Sequence, residues 1–177
     1  MSQFKREDIL HHVNENIEKY SPWIYFPNNL LNLDELYSER KGINEFVDKF
    51  CFWGTSIEER SILQHFNNDV FVGGLPIGTF ENYAKILIKH KVALSIAGRG
   101  EFCYRDVENF AMGIPIIRFE YKNKMYEPLI PNYHYISIER PEDLMYDRMG
   151  NEEHARLLEK RFIEVKDDIE FLTQISN

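Results

Sequence analysis

Cysteine is scarce in this sequence, with two among 177 residues, Cys51 and Cys103. Two cysteines cannot build the disulfide framework of a small secreted domain, and their spacing matches no zinc-ligand pattern. We therefore expect a cytoplasmic protein in a reducing compartment. Cys51 falls within a predicted strand and is interpreted as structural. Cys103 falls on a predicted helix, where a reactive thiol is the alternative to a structural one.

An excess of basic residues is also absent, since the formal net charge is -8 and the pI is near 5.3. A field of this sign repels nucleic acid and anionic membranes from most of the surface. A small phosphorylated ligand is still compatible, because it needs only a few local donors. No apolar run approaches the length that spans a membrane, and the amino terminus is too polar for a signal peptide. We expect a soluble protein with no membrane span and no nucleic-acid partner.

Several catalytic and binding motifs are missing. The sequence has no P-loop lysine pattern, no cluster of zinc ligands and no Gly-x-Ser-x-Gly elbow. Gly98 and Gly100 are not followed by the third glycine of the dinucleotide fingerprint. We therefore predict neither a bound cofactor nor a metal site.

What the sequence does contain is an alternation of short apolar runs with amphipathic helices. Predicted strands lie near Phe50, Val70, Val92, Ile114 and Tyr135. This alternation is typical of an α/β protein with a single doubly wound parallel sheet, the Rossmann-like arrangement. With 44% hydrophobic and 14% aromatic residues, residues 1–177 are expected to form one domain with packing helices at both ends.

Other segments carry weaker patterns. Amphipathic spacing predicts a helix over residues 6–20 and another from Asn151, continued by a further helix after Asp168. A short helix is predicted over residues 43–48. Residues 30–41 show a helical stripe of leucines that the polar remainder does not sustain.

The most informative stretch covers residues 91–119. A buried strand over residues 92–97 runs into Gly98-Arg99-Gly100, where two residues without a Cβ flank a cation and backbone N–H groups can approach an anion. A helix follows, on which Arg105 and Glu108 share one face. Such a loop at the carboxyl end of a parallel strand is a common ligand site of open α/β sheets.

The spacing of Arg105, Glu108, Gly113 and Pro115 resembles the nucleotide-sugar-binding half of GT-B-type glycosyltransferases, particularly the exostosin-like and related branches. The resemblance implies that Arg105 faces the donor diphosphate and that Glu108 accepts hydrogen bonds from ribose hydroxyls. A planar guanidinium can hold two phosphate oxygens, and a carboxylate suits a vicinal diol. The alternative is a surface ion pair on a plain crossover helix.

The resemblance extends to an earlier strand. Gly54 ends that strand and Arg60 follows on a predicted helix over residues 57–66, which implies that Arg60 also reaches the diphosphate. A solvated arginine paired with a neighbouring glutamate is the alternative. Many retaining GT-B enzymes carry two glutamates separated by seven residues, whereas six residues separate Glu101 from Glu108, so the resemblance assigns Glu101 no role.

Two classes of function follow. The first is a glycosyltransferase-like protein that binds a nucleotide-diphosphate sugar and transfers the sugar to an unknown acceptor, with the arginines neutralising the departing diphosphate. The resemblance covers residues 50–138, one half of a GT-B architecture, so a partner domain or a homo-oligomer would complete the site. The second is a nucleotide-binding or protein-interaction module without turnover. The predicted binding residues share a place at or just after the carboxyl ends of strands: Gly54, Arg60, Gly98, Arg99, Gly100, Arg105 and Glu108.

Three residues are weaker candidates. Glu120 and Tyr121 occupy a loop that the resemblance places near the donor sugar and base, although a surface loop with aromatic anchors is the alternative. His134 is the most tempting acid or base in this region. A lone histidine beside a strand is nevertheless more often a structural residue.

Overall fold

A five-stranded parallel sheet forms the centre of the molecule. The computed structural model describes residues 32–54, 58–97, 101–122, 125, 128–139 and 152–168. All neighbouring strands pair in parallel, in the spatial order β2-β1-β3-β4-β5. The strands are β1 Val47–Trp53, β2 Phe71–Gly74, β3 His90–Leu94, β4 Ile116–Phe119 and β5 Ile136–Ile138. The predicted fold class, α/β with one Rossmann-like parallel sheet, is confirmed.

Five helical segments of the described residues surround the sheet, and local signals mark some of their starts and ends. The Thr79 side chain accepts a hydrogen bond from the backbone N–H of Asn82, and Gly113, at φ 67°, lies just beyond a helix end. In the described ranges, no helix is both long and apolar enough to cross a bilayer. The segments are α1 Leu33–Lys41, a 3-10 helix Glu58–His65, α2 Phe80–Leu87, α3 Tyr104–Ala111 and α4 Glu152–Val165.

The two faces of the sheet carry separate cores. Successive side chains of a strand point to opposite faces. Accordingly, Phe50 and Phe52 pack with the 3-10 helix and α4, whereas Cys51 and Trp53 pack with α1, α2 and the end of α3. The 3-10 helix and α4 therefore form one layer, and α1 to α3 form the other.

Arg40 of α1 is buried at the amino end of β3, with 3% of its surface exposed. Its Nε donates to the carbonyl of Gly113 at 3.0 Å, and its terminal nitrogens donate to the carbonyls of Ile88, His90 and Lys91. Burial lowers the pKa of Arg40 to about 10, so the guanidinium is still charged at neutral pH. This one side chain joins the ends of α2 and α3 to the sheet.

The helix predicted over residues 43–48 is wrong. The backbone N–H of Val47 donates to the Lys89 carbonyl at 2.8 Å and opens β1. Asp48 binds the ammonium groups of Lys91 at 3.0 Å and Lys166 at 2.9 Å. Pairing with residues distant in sequence therefore overrides the local apolar spacing.

The observed bounds of several strands and helices differ from the predicted ones. The predicted helix over residues 57–66 is present as the 3-10 helix, and the pattern from Asn151 forms α4. β3 begins at His90, two residues before the predicted start at residue 92, and β4 begins at Ile116 rather than Ile114. The predicted helix over residues 6–20 and the one after Asp168 lie outside the described residues.

The strand order creates a switch point between β1 and β3. The chain leaves β1 for β2 on one side and then passes to β3 on the other side. Parallel sheets of this order bind ligands in the crevice outside the carboxyl ends of the strands at such a point. Gly54 directly follows β1, and Ser95 directly follows β3.

Candidate functional site

Two arginines meet over one aromatic ring at the switch point. The ring of Phe52, near the carboxyl end of β1, has its centroid 5.0 Å from Cζ of Arg60 and 4.4 Å from Cζ of Arg105. Arg60 belongs to the 3-10 helix on one face of the sheet, and Arg105 belongs to α3 on the other. The two guanidiniums therefore reach the same edge from opposite layers.

Gly54 is a close-approach position beside this pair. A Cβ at residue 54 would lie 2.8 Å from Nη1 of Arg60 and 2.9 Å from Cε1 of Phe52. Atoms at these distances overlap, so a side chain would displace Arg60 or the ring. The missing side chain is what lets Arg60 lie against the end of β1.

Arg105 is held by its Nε edge. Nε donates to the hydroxyl of Tyr83 on α2 at 3.1 Å, and the guanidinium carbon lies 5.8 Å from the centroid of the Tyr83 ring. Among the described residues, no other hydrogen bond and no ion pair engages the Arg105 side chain. Its two terminal nitrogens therefore offer donors that the described part of the fold does not use.

Glu108 lies one helical turn beyond Arg105 on α3 and is 7% exposed. Burial is the main cause that raises the pKa of the Tyr83 phenol; the charge of Arg105 opposes the rise, and the charge of Glu108 adds to it. Arg105 and Glu108 therefore both lie near Tyr83, on the α3 side of the switch point. The alternative of a solvent-exposed Arg105–Glu108 ion pair does not describe this arrangement.

The predicted glycine loop, Gly98, Arg99 and Gly100, lies outside the described residues. Residues near both of its ends are held by hydrogen bonds. The N–H of Ser95 donates to the Ile117 carbonyl at 3.0 Å. The carbonyl of Glu101 accepts from Nη2 of Arg118 at 2.9 Å, and its carboxylate accepts from the Lys122 N–H at 2.8 Å.

A buried polar network lies beside these loop ends, and sequence reasoning missed it. Asp106 of α3 accepts hydrogen bonds from the Ser95 hydroxyl and, at 2.8 Å, from the Cys103 N–H. Nη1 of Arg118, on β4, lies 3.3 Å from the same carboxylate and 3.4 Å from the Ser95 hydroxyl. The network joins the carboxyl ends of β3 and β4 to the start of α3. A charged residue inside the apolar run of residues 114–119 was the signal that could have found it.

Of the three weaker candidates, Tyr121 belongs to this neighbourhood rather than to the arginine pair. Tyr121 places its ring under Arg118, whose Cζ lies 3.4 Å from the ring centroid. Glu101 is 3% exposed and is held by the Lys122 N–H, whereas Glu120 is half-buried. His134 is exposed, and its Nδ1 accepts a hydrogen bond from the Ile130 N–H at 2.7 Å, which is a structural role.

The two cysteines lie in environments that disfavour a thiolate. Burial raises the pKa of Cys103 to about 11, with the charge of Asp106 as a second cause. Cys51 is fully buried in β1, where burial also raises its pKa. Since the thiolate is the nucleophilic form, the structural interpretation of both cysteines is favoured.

Over the described ranges, no three histidine, cysteine or acidic side chains come together in a way that could hold a metal ion. Comparison of the chain with protein-family models, curated proteins and solved structures finds no significant match. The class of protein therefore follows from the fold itself. The chain is a Rossmann-like α/β protein with two arginines at the switch point of its sheet.

Proposed function

We propose that the protein binds a nucleotide-diphosphate sugar at the β1/β3 switch point and transfers the sugar to an acceptor. The observation that carries this proposal is the convergence of Arg60 and Arg105 on the ring of Phe52. Two like charges brought together at one edge favour an anionic ligand between them. A diphosphate suits the pair because each phosphate can take one planar guanidinium.

Each residue has a distinct role in this proposal. The terminal nitrogens of Arg105, which make no hydrogen bond within the described part of the chain, donate to one phosphate. Arg60, held close by Gly54, donates to the other phosphate. Glu108 accepts hydrogen bonds from the ribose hydroxyls, a role that follows from the resemblance to GT-B donor domains.

The same arrangement supports transfer chemistry. Negative charge grows on the diphosphate as its bond to the anomeric carbon breaks. Cations that are already in place stabilise that charge without reorganising at the moment of reaction. Packing against Phe52 holds both guanidiniums before a donor arrives, and a cation over an aromatic face is itself stabilised.

Titration calorimetry with a panel of nucleoside diphosphates, and with the matching nucleosides, tests the binding step. We expect Arg105→Ala to weaken the diphosphate by about one to two decades, the effect of about 1.5 to 3 kcal/mol from a charge-assisted hydrogen bond. The free nucleoside should be weakened far less. Glu108→Gln should weaken the binding of both the nucleoside diphosphate and the free nucleoside, since each contains the ribose.

Arg156→Ala is the matched control, because it removes the same charge from an exposed side chain paired with Glu152 on α4. It should leave affinity unchanged. If Arg105→Ala stays folded and keeps nucleotide affinity within about twofold, the site assignment is wrong.

A second measurement separates binding from transfer. Mass spectrometry of a nucleotide sugar incubated with the protein and a set of sugar acceptors should show release of the nucleoside diphosphate. Tight binding without any release would contradict transfer and support a nucleotide-binding module.

A further inference from the structure

Tyr83 lies at the arginine pair, yet the motif that resembles GT-B enzymes does not contain it. It belongs to α2, between β2 and β3, and its hydroxyl accepts the hydrogen bond from Nε of Arg105 at 3.1 Å. The two residues are 22 positions apart in sequence. The contact therefore arises only because α2 and α3 cover the same face of the sheet.

Tyr83 contacts Nε of Arg105, and this leaves the two terminal nitrogens for a ligand. A guanidinium has five N–H donors in a fixed plane, so anchoring Nε fixes the direction of both terminal nitrogens. The Phe52 ring, 4.4 Å from Cζ, limits rotation of that plane. The contact with Tyr83 thus orients the terminal edge, the one that can hold two oxygens at once.

Tyr83, the hydrogen-bond partner of Arg105, does not neutralise its charge. A carboxylate in the same place would neutralise the guanidinium, whereas a phenol does not. Burial raises the pKa of Tyr83, so the hydroxyl is neutral at physiological pH. Arg105 is therefore held in position by a neutral partner.

We infer that Tyr83 is a positioning residue for the diphosphate site, which fixes the Nε edge of Arg105 so that the terminal edge is presented to phosphate. This inference rests on the proposed function for its ligand, but the Tyr83–Arg105 link can be measured without one. Tyr83 acts through Arg105, so its effect disappears when Arg105 is absent.

Tyr83→Phe removes the hydroxyl and keeps the ring, so it is the variant of choice. Its affinity for the best nucleoside diphosphate of the panel should fall about threefold to tenfold, the loss expected for one hydrogen bond. The free nucleoside should bind as before. Tyr133→Phe, at a 52% exposed tyrosine, is the control and should change neither affinity.

A double-mutant cycle provides the readout that a merely structural role would not move. In the Arg105→Ala background, Tyr83→Phe should cause no further loss of diphosphate affinity, because the two substitutions remove one interaction. An equal loss in both backgrounds would overturn the inference. So would an affinity for diphosphate that stays within twofold in Tyr83→Phe itself.

Nuclear magnetic resonance of the free protein tests the link independently of any nucleotide. The Arg105 Nε–H should exchange slowly with water in the wild type and faster in Tyr83→Phe, with Tyr133→Phe unchanged. Equal exchange in wild type and Tyr83→Phe would overturn the positioning role even if nucleotides bind. If no nucleotide binds but the exchange differs, the proposed function fails and the Tyr83–Arg105 link stands.

Discussion

Arg118 and Asp106 form an ion pair inside the protein, with Nη1 3.3 Å from Oδ2 and side chains that are 2% and 0% exposed. The pair joins β4 to the first turn of α3, and the Ser95 hydroxyl bonds to the same carboxylate. An ion pair this deep is stable only when the remaining lone pairs and protons are also satisfied. Here hydrogen bonds from the Cys103 N–H and to the Glu101 carbonyl contribute to that.

Removing one partner of this pair should destabilise the fold strongly. We expect Asp106→Ala to lower the free energy of unfolding by about 3 to 5 kcal/mol, because Arg118 is left charged and buried. Glu152→Ala, which breaks the exposed pair with Arg156, should cost less than about 1 kcal/mol. Urea denaturation of both variants checks the contrast.

A double replacement gives the complementary test. Asp106→Leu combined with Arg118→Met should cost less than the two single changes together, since neither charge is then left alone. Strict additivity would show that the two side chains stabilise the fold independently.

Gly54→Ala should disturb the ligand site. The added methyl would lie 2.8 Å from Nη1 of Arg60 and 2.9 Å from Cε1 of the buried Phe52 ring, so the guanidinium and the ring cannot both keep their positions. We expect diphosphate affinity to fall about tenfold, equivalent to the loss of one charge-assisted hydrogen bond. In an Arg60→Ala background the same substitution should cause a smaller loss of calorimetric affinity, because only the contact with the Phe52 ring remains.

Gly113→Ala should destabilise the protein, whereas Gly42→Ala should be tolerated. Gly113 has φ 67°, and a Cβ there would lie 2.8 Å from ring atoms of Tyr37. The left-handed backbone alone costs a residue with a Cβ about 1 to 2 kcal/mol. Gly42 has φ -85°, and its nearest contact would be an ordinary 3.4 Å. Thermal melts that rank the two variants equally would contradict this account.

His90 should make stability fall on mild acidification. Burial lowers its pKa below the ordinary 6.5, and its Nδ1 lies 3.0 Å from the Ile86 carbonyl. Between the folded pKa and 6.5 the unfolded chain therefore binds more protons than the folded one. The free energy of unfolding should therefore rise as pH rises through that window. The stability that neutral His90 contributes should be lost as pH falls through it.

Urea titrations at several pH values between about 5 and 7 check this dependence. His90→Gln should flatten the slope, and a slope equal to that of the wild type would exclude His90 as its source. The pKa of Asp48 is also lowered, chiefly by its hydrogen bond with Lys166. Since the ordinary value is 3.8, the stability that ionised Asp48 contributes is lost at lower pH than the His90 effect.

The sheet could be predicted from sequence because its strands are nearly continuous apolar runs. Phe50, Phe52 and Val92 are buried in β1 and β3 as expected. α1 was harder to read because a charged residue, Arg40, completes its buried side, and a pattern search counts arginine as polar. Val47 was misassigned because its strand conformation depends on pairing with His90, far away in sequence.

The residues of the candidate site also fall into those that the sequence could name and those that it could not. Arg105 and Arg60 could be named from the resemblance to GT-B donor domains, in which an arginine follows the end of a strand. Tyr83 and Arg118 could not, because α2 and β4 contribute them through tertiary contacts. A lone charge directly after a predicted buried strand, as at Arg118, is a signal that calls for a functional or structural explanation before the fold is known.

Arg60 and Arg105 come from opposite layers of the protein, and this has a mechanical consequence. The 3-10 helix and α3 lie in separate cores, so the contacts within either core do not tie one to the other. An anion that takes both Arg60 and Arg105 would bridge the layers around the edge of β1. Its binding should therefore slow amide hydrogen exchange in the 3-10 helix and in α3 together, and in the Arg60→Ala variant the slowing should be confined to α3.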